Sequence, residues 1–550
     1  MIKLSSKYKS NIIIISIFFL IFIIGTFSVE DYGVSSDEND QRHSGFIELN
    51  HIGKKILPVI TEQLTEGKNY TNFDDKNYTE KYSGQIFNTT TGFLEIILKI
   101  DNDYERFLLR HYIYFFTFFL SLVAFFKLCN LRFQDWKLSL LGVIFLFLSP
   151  RIFANSFVDP KDIPFMSLLI FSVFFGLKFF ENLNIKNAII FAFFNGLVIS
   201  GVRIYGLISP LIIFASIILY LIISKKLQFN RIISIFISLI FTALFSILFK
   251  PYLWEAPLVN FINVIKYLGE FGEIWQVPNL FFGEIILAEN VPWYYSLYWI
   301  LITTPITYIM LFFIGFFGYL KNFYINFKVK FYEKKFYYDS IFLALVFGPL
   351  MGTIILKSAS FNSWRHLFFI YPYIIIFCVY ALNFLSEYLL ENKNLLKIVN
   401  LLIILSIFNL IFWNIKNHPH QYAYFNFLAG KNVDKKFDID YWGLSYKESL
   451  NYILDNDDRE KIYIKTNSIS KMILLIKSLE NEKADRIVFN FKDKNPDYII
   501  TNYYLDQLSN PDGNKKYKKF SDDFLLNNYS IFKEIIIDGN TINTVYKSKN

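Results

Sequence analysis

Residues 11–40 read NIIIISIFFLIFIIGTFSVEDYGVSSDEND, in which an uncharged apolar run over 11–29 gives way to a cluster of acids. About 20 mostly apolar residues are enough for one helix to cross the hydrocarbon core of a bilayer. Lys3, Lys7 and Lys9 precede the run, as they would in a signal peptide, but a clear small-residue cleavage site is missing. We therefore predict a retained membrane anchor with an acidic segment immediately beyond it.

The composition extends this interpretation to the whole chain. Of its 550 residues, 54% are hydrophobic, 20% are aromatic and 19% are charged, whereas soluble domains carry about 25% charged residues. A single soluble core stops growing at about 250–300 residues, so the surplus of Phe and Ile predicts a polytopic α-helical membrane protein. Ten runs are long enough to span, and a shorter run at 138–149 is expected to be the eleventh span. The ten are 11–29, 110–129, 164–180, 187–202, 206–224, 232–249, 296–320, 340–356, 367–388 and 398–415.

Basic residues alternate between the loops and indicate the orientation. With a cytoplasmic N-terminus, the inside loops are rich in Lys and Arg and the short outside loops carry few, which is the positive-inside pattern. The inside residues are Lys3, Lys7, Lys9, Arg132, Lys137, Lys186, Lys225, Lys226, Arg231, Lys321, Lys328, Lys330, Lys334, Lys335, Lys393 and Lys397. The formal net charge of +8 therefore reflects topology in a plasma (inner) membrane, and no nucleic-acid partner is expected.

Two regions follow from this pattern. Residues 1–415 are expected to form a transmembrane domain with long outside loops at 30–109 and 250–295. Residues 416–550 carry short strand-like runs and are expected to form a small extracytoplasmic α/β domain. The predicted strands and hairpin turn are Lys461–Lys465, Arg486–Phe491, Tyr498–Asn502 and Asp538-Gly539, with a helix near Ser470–Leu479.

Several classes of chemistry lack their motifs. The sequence has neither G-x-x-x-x-G-K-[ST] nor G-x-G-x-x-G, so no cradle for ATP or a dinucleotide is expected. Cys129 and Cys378 lie in or beside apolar runs and imply neither a disulfide framework nor a thiolate metal site. Three D-x-D triplets occur, which we interpret as chance in an Asp-rich chain.

Charged residues instead gather in the outside loops. Asp37 and Glu38 follow the first span, and Asp159, Lys161 and Asp162 lie in a short loop between two spans. Charges between spans are costly unless they serve a cavity. A solvated loop for the first group and interfacial snorkelling for the second are the alternative interpretations. Cations predicted at the same membrane face are Arg203 and Arg365.

Carboxylates and cations on one membrane face suit a reaction between a lipid phosphate and a hydroxyl. Transfer of a sugar from a polyprenyl phosphate needs a base that takes the acceptor proton. The leaving phosphate is already a weak base, so it needs cations to hold it and no general acid. One carboxylate on one side of the anomeric carbon and cations on the other predict inversion by a single displacement.

Eight motifs, which together span most of residues 30–450, carry a resemblance to a known family. They are Asp37-Glu38, Ser149-Pro150-Arg151, Asp159-Pro160-Lys161-Asp162-Ile163-Pro164, Pro292-Trp293-Tyr294-Tyr295, Thr303-Thr304-Pro305, Trp364-Arg365-His366, His418-Pro419-His420-Gln421-Tyr422-Ala423-Tyr424-Phe425-Asn426 and Asp440-Tyr441-Trp442-Gly443-Leu444-Ser445-Tyr446-Lys447. With them the chain resembles the GT-C superfamily of polytopic glycosyltransferases that use lipid-phosphate sugars. Within that superfamily it looks like the bacterial relatives of protein O-mannosyltransferases and of aminoarabinose transferases.

The resemblance implies roles for the charged residues. Asp37 is implied to be the catalytic base, and Glu38 to orient the acceptor or to tune the base. The implied contacts to the donor phosphate are Arg42, Lys161, Arg203 and Arg365, and the implied second-loop acids are Asp159 and Asp162. The resemblance also implies that no cofactor and no obligatory metal are needed.

The implied function is hexosyl or pentosyl transfer from a polyprenyl-phosphate-linked donor at the outer face of the bilayer. The β-trefoil insert typical of eukaryotic protein O-mannosyltransferases is missing, so glycolipid, polysaccharide and protein acceptors all stay open. The alternative function is a polytopic lipid or solute transporter or flippase, and a third is an inactive scaffold whose tail binds a partner. Against a transporter, the sequence has no evident internal repeat, and its ionisable residues cluster at one face.

Overall fold

The computed structural model describes residues 6–65, 71–270, 276–325, 327–468, 476–489, 495–504 and 520–549. Most of it consists of long apolar helices, which are followed by a small sheet domain, as the sequence predicts. The helices are α1 Ser6–Ser28, α2 Ser36–Ile56, α3 Pro58–Thr65, α4 Ile86–Ile97, α5 Asp103–Phe133, α6 Trp136–Leu148, α7 Pro150–Val158, α8 Asp162–Glu181, α9 Ile185–Gly201, α10 Ile208–Ile223, α11 Phe229–Leu248, α12 Pro257–Gly269, α13 Tyr295–Thr303, α14 Ile306–Ile325, α15 Phe327–Lys330, α16 Lys334–Ile355, α17 Tyr371–Tyr388, α18 Lys393–Lys416, α19 Tyr446–Asp455, α20 Asn481–Ala484 and α21 Asp522–Asn528. The strands are β1 Pro278–Phe281, β2 Glu284–Leu287, β3 Ile462–Thr466, β4 Ile487–Val488, β5 Tyr498–Thr501, β6 Tyr529–Ile537 and β7 Asn540–Ser548.

The eleven apolar runs singled out in the sequence are all helical. Within the described part of the chain, nine helices are long and apolar enough to cross a membrane, and α6 with α7 makes a tenth if this bent pair is one span. Helix α9 has only 17 residues, which is at the short end of the range of roughly 17–25 residues for a membrane-spanning helix. It packs closely on α11, since a Cβ on Gly196 would lie 2.4 Å from the Cβ of Phe245. The chain is a multi-pass membrane protein.

Prolines break two of the predicted spans. The run 296–320 is divided into α13 and α14 at Pro305, and the run 138–149 continues beyond Pro150 as α7 after a bend of 67°. A proline lacks the N–H that a helix interior needs, and it disfavours the helical region at the residue before it. Ser149 accordingly has an extended ψ of 110°. The second break turns α7, buried along its whole length, towards the start of α2.

The two long loops, at 30–109 and 250–295, pack against the ends of the helices. Helices α2 and α4 cross at Gly45, where a Cβ would lie 2.5 Å from the backbone of Asn88. The loop at 250–295 contains α12 and an antiparallel hairpin of β1 with β2. The backbone N–H of Leu280 in β1 donates to Asp438 at 2.8 Å, which joins this hairpin to the segment that follows α18.

The C-terminal domain is built on a five-stranded sheet with the order β4-β3-β5-β7-β6. Strand β3 is parallel to β4 and β5, and β7 is antiparallel to β5 and β6. The predicted hairpin turn is confirmed, with positive φ at Asp538 (49°) and Gly539 (79°), which a two-residue turn of this kind requires. The helix predicted near Ser470–Leu479 lies largely outside the described residues, as does the end of the strand predicted at Arg486–Phe491.

The segment between α18 and α19 belongs to the packing of both regions. Its aromatic residues Tyr422, Phe437, Tyr441 and Trp442 lie in the hydrophobic core that the membrane helices share. The Tyr32 hydroxyl, from the end of the first span, donates to the Gln421 side chain at 2.6 Å. The segment therefore lies over the helix ends at which the charged loops also meet.

Candidate active site

The start of α2 is fixed by a capping box formed by Ser35 and Glu38. The Ser35 N–H donates to one Glu38 oxygen at 2.6 Å, and His111 of α5 lies 2.8 Å from the other. The Ser35 hydroxyl donates to the Val158 carbonyl at 3.0 Å, which ties the cap to α7. Such a box satisfies backbone donors that the first helical turn leaves free. Glu38 is fully buried and both of its oxygens are engaged in this joint.

Asp37 occupies the same helical turn but faces another direction. Its side chain keeps 35% exposure, and Arg365 donates to its Oδ2 through Nη1 at 2.7 Å. The N-terminal turn of a helix also favours a negative side chain, because the backbone N–H groups there carry partial positive charge. Asp37 is thus paired with Arg365 but still within reach of solvent and of a second molecule.

Asp162, the first residue of α8, bridges two arginines. Its Oδ1 accepts from Nη2 of Arg203 at 2.5 Å, and its Oδ2 lies 3.4 Å from Nη1 of Arg365. Because Arg365 also holds Asp37, four side chains of alternating charge form a continuous series, Asp37–Arg365–Asp162–Arg203, which we call the charge chain. The structure therefore brings together four of the residues singled out in the sequence.

Asp159 lies beside the charge chain and caps α8. Its Oδ1 accepts from the backbone N–H of Lys161 at 2.9 Å and of Asp162 at 2.7 Å. Burial raises the pKa of Asp159 well above its usual range, and the neighbouring Asp162 charge raises it further. Both effects disfavour the ionised form of Asp159.

The other two predicted phosphate contacts are paired with carboxylates outside the charge chain. Lys161 donates to Glu80 at 2.8 Å. Burial alone would raise the pKa of Glu80, but Lys161, a hydrogen bond from Gln41 and the Arg203 charge together hold that pKa below its usual range. Arg42 donates twice to Glu95, at 2.9 and 2.7 Å, and the fully buried Arg110 donates to the other Glu95 oxygen at 2.7 Å. Lys161 and Arg42 are thus each paired with a carboxylate, although Glu95 is shared with Arg110.

An apolar groove of about 450 Å³ begins at the far end of the charge chain. It lies between α10, α12, α16 and the segment before α17, and Arg203 and His366 are its charged and titratable lining residues. Leu211 and Leu356 at its edges are 65% and 77% exposed, so it opens on the surface that faces lipid. Nε of Arg203 is buried and has no hydrogen-bond partner among the described residues. The arrangement suits an amphiphile with an apolar chain and an anionic head.

Two aromatic rings lie close to Arg365, an inner member of the charge chain. The guanidinium carbon of Arg365 lies 5.2 Å from the ring centre of Trp442 and 5.4 Å from that of Phe361. Both distances fall within the range of a cation–π contact. Arg365 is 7% exposed, so its direction is set by two carboxylates and two ring faces.

Sequence reasoning left some residues of this site without a role. The Ser35-x-x-Glu38 spacing is a readable capping-box signal, and it would have assigned Glu38 to structure. Nothing in the sequence pairs His111 with Glu38, or Trp442 with Arg365, since each pair is far apart along the chain. Within the described ranges, no three His, Cys, Asp or Glu side chains are grouped to hold a metal ion; a metal-independent reaction stays a prediction.

No family model matches the sequence, and no curated protein matches it. The fold is similar to a crystal structure of ArnT from Cupriavidus metallidurans bound to undecaprenyl phosphate, with a TM-score of 0.48 and 10% identity over 96% of this chain and 97% of that one. The apo state of that ArnT gives the same values. A crystal structure of the Archaeoglobus fulgidus oligosaccharyltransferase in complex with Zn and sulfate gives a TM-score of 0.40 and 11% identity over 80% of this chain and 60% of that one. At these identities the similarity concerns the overall fold of the chain, and its site residues are described by their own contacts alone.

Proposed function

We propose that this protein is a membrane glycosyltransferase that moves a sugar from a polyprenyl-phosphate donor to a hydroxyl of a glycolipid, polysaccharide or protein acceptor. The observation that carries the proposal is the charge chain, which connects a half-buried carboxylate to a cation in an apolar groove open to lipid. The reaction takes place at the outer face of the membrane, with the N-terminus in the cytoplasm and the C-terminal domain outside. That orientation rests on the distribution of basic loops.

The groove is the donor site in this proposal. Its apolar walls accept the first isoprenoid units, while the phosphate lies against Arg203, whose Nε is unpaired among the described residues. A charge-assisted hydrogen bond from a guanidinium to a phosphate is about twice as strong as a neutral one. His366 borders the same end of the groove and offers a further ring nitrogen.

The chemistry is a single displacement with inversion. Asp37 takes the proton of the acceptor hydroxyl while the hydroxyl oxygen bonds to the anomeric carbon, and the bond from that carbon to the phosphate oxygen breaks. The polyprenyl phosphate leaves with the bonding electrons as an anion, so it needs positive charge and not a proton. Arg365 lies between the base and Asp162 and holds the Asp37 side chain in position. Glu38 and Asp159 act through the backbone by fixing the starts of α2 and α8.

The test is Asp37→Asn in membranes supplied with a labelled polyprenyl-phosphate sugar and a cell-envelope lipid fraction as acceptor. We expect glycosidic product to fall about 1000-fold, while protein level, thermal unfolding and donor binding stay at wild-type values. Asp40→Asn is the matched control, since Asp40 lies one helical turn from Asp37's position and is exposed. A mutant that consumes donor as fast as the wild type would exclude Asp37 as the base. Movement of lipid or solute without any glycosidic product would favour the carrier function instead.

A further inference from the structure

We propose that the C-terminal domain completes the active site, with Tyr504 and Trp442 as positioning residues for Arg365. The inference rests on the proposed function and extends it, because it makes the domain part of the catalytic machinery and not an appended partner-binding module. Three groups of contacts carry it: those that hold the loop before Arg365, those that join this loop to the domain, and those of the Trp442 ring.

The loop that leads into Arg365 has an unfavourable backbone. Asn362 and Ser363, two consecutive non-glycine residues, have φ values of 55° and 64°. The left-handed region is disfavoured for L-residues, and such conformations persist only where surrounding contacts enforce them. Asn279 of β1 supplies part of this enforcement: it accepts from the Asn362 N–H at 3.0 Å and donates to the Ser360 carbonyl at 3.2 Å.

Tyr504 supplies the other side of the support from the C-terminal domain. Its hydroxyl donates to the Asn362 side-chain oxygen at 3.2 Å. Tyr504 follows β5 closely, and it lies within electrostatic reach of both Arg365 and Asp37. The strained loop is therefore held between the hairpin on one side and the C-terminal sheet on the other.

Trp442 acts on the arginine itself. Its ring centre lies 5.2 Å from the Arg365 guanidinium, and the Phe361 ring centre lies 5.4 Å from it. The side chain is 4% exposed, and its indole nitrogen has no hydrogen-bond partner among the described residues, so its contribution to the site is the ring face. The Asn502 side chain donates to the Asp440 carbonyl at 2.7 Å, which couples the Trp442 segment to the strand end that carries Tyr504. The two residues thus fix Arg365 as one unit.

The first test compares two adjacent tyrosines that lose the same hydroxyl. The Tyr503 hydroxyl pairs with Thr544 inside the C-terminal sheet at 2.6 Å, whereas the Tyr504 hydroxyl crosses to Asn362. We expect Tyr504→Phe to lower kcat about tenfold, because a small misplacement of a reacting or stabilising group has large kinetic effects. The donor KM should stay within about twofold, and Tyr503→Phe should match the wild type. Equal losses in both variants, or none in Tyr504→Phe, would overturn the inference.

The second test separates the ring face of Trp442 from its bulk. Trp442→Phe keeps an aromatic face and should retain kcat within about threefold, whereas Trp442→Leu should lose about 30-fold in kcat with the donor KM unchanged. Wild-type kcat in the leucine variant would contradict the inference. If Trp442→Leu fails to fold, the tyrosine pair decides. A wild-type protein that forms no glycosidic product would defeat the proposed function, whereas an active wild type with fully active Tyr504→Phe and Trp442→Leu would defeat this inference alone.

Discussion

Two groups of ionised side chains lie at opposite ends of the helices, and they are built differently. Asp162 begins α8 and Glu181 ends it, which separates the two ends by about 30 Å. At the Glu181 end, Arg132 and Asp339 form a bidentate pair, with Nη2 2.6 Å from Oδ2 and the second bond between Nε and Oδ1. At the Asp162 end, Arg365 and Asp162, the two inner members of the charge chain, each contact two partners of opposite charge.

The Arg132–Asp339 pair, which we call the closed pair, lines a cavity of about 350 Å³, but its two charges bind each other. Both atoms of the Asp339 carboxylate are used, and the Arg132 guanidinium also lies over the rings of Phe133 and Tyr380. The charge chain instead ends in a carboxylate with 35% exposure at one end and in a cation of the apolar groove at the other. Residue type and burial therefore do not distinguish a structural ion pair from a functional site. The distinguishing property is whether the charged group ends in side chains that a second molecule can reach.

The largest difference in kcat between the two groups is expected when the arginine at the centre of each is replaced. Arg365→Met should lower kcat about 1000-fold, because it removes the charge that holds both Asp37 and Asp162. Arg132→Met should leave kcat per folded molecule within about twofold, since it touches nothing in the site. Labelled-donor assays on purified protein, normalised to the folded fraction, measure both. Comparable losses of kcat in the two variants would show that the Arg132–Asp339 pair also contributes to the reaction.

The reverse experiment measures stability. Arg132→Met leaves the buried Asp339 carboxylate without its partner and should lower the free energy of unfolding by about 3 kcal/mol. The double variant Arg132→Met/Asp339→Leu should recover most of this loss, because replacing a whole buried pair by apolar residues is often close to neutral. Denaturant unfolding in detergent micelles, followed by tryptophan fluorescence, reports the difference. A double variant as unstable as the single one would contradict the assignment.

The open end of the charge chain at Arg203 should affect donor binding more than turnover. Arg203→Met removes a charged hydrogen bond to the phosphate, which is worth about 2 kcal/mol, or about 30-fold in donor KM. Turnover at saturating donor should fall as well, but by less than the rise in donor KM, because the negative charge on the phosphate increases as it leaves. Initial rates over a donor titration separate the two constants. An unchanged donor KM would remove the phosphate from this end of the groove.

The smallest effect is expected at Lys161, a cation that is already closed by Glu80. Lys161→Met should change donor KM by less than about threefold, since the lost charge was neutralised within the protein. The pKa of Glu80 is held below its usual range, so the pair stays ionised above that range and is lost only as the pH falls through it. The small effect should therefore be the same at pH 8 and at pH 6. A loss as large as that of Arg203→Met would place Lys161 at the phosphate.

Local patterns in the sequence were sufficient for the helices and for part of the site. The apolar runs, the Asp538-Gly539 turn and the Ser35-x-x-Glu38 capping box each depend on a few neighbouring residues, so each can be read before any fold is known. The bend after α6 was only partly readable. Pro150 forces Ser149 out of the helical region, but the direction in which α7 turns depends on what packs against it.

The partners of the charged residues could not be read in the same way. Asp37 and Arg365 are 328 residues apart, and Asp162 joins Arg365 to Arg203, which comes from another segment. The same limitation applies to Lys161 and Arg42, which look like candidate phosphate contacts until Glu80 and Glu95 are found beside them. A list of charges in loops does not say which of them neutralise one another.

The amino-acid sequence alone was enough to predict a membrane protein, the positions of its spans and a small sheet domain after them. Each of these depends on hydrophobic length or turn chemistry, which act over short stretches of the chain. The folded chain alone shows which acid stays reachable and which cation lies in the groove. It also shows that Trp442 contacts Arg365 and that Tyr504 bonds the loop before Arg365. These contacts depend on how the ends of the helices and the outer segments meet in space. Whether a charged side chain is fully paired within the protein therefore depends on these long-range contacts and not on any local motif.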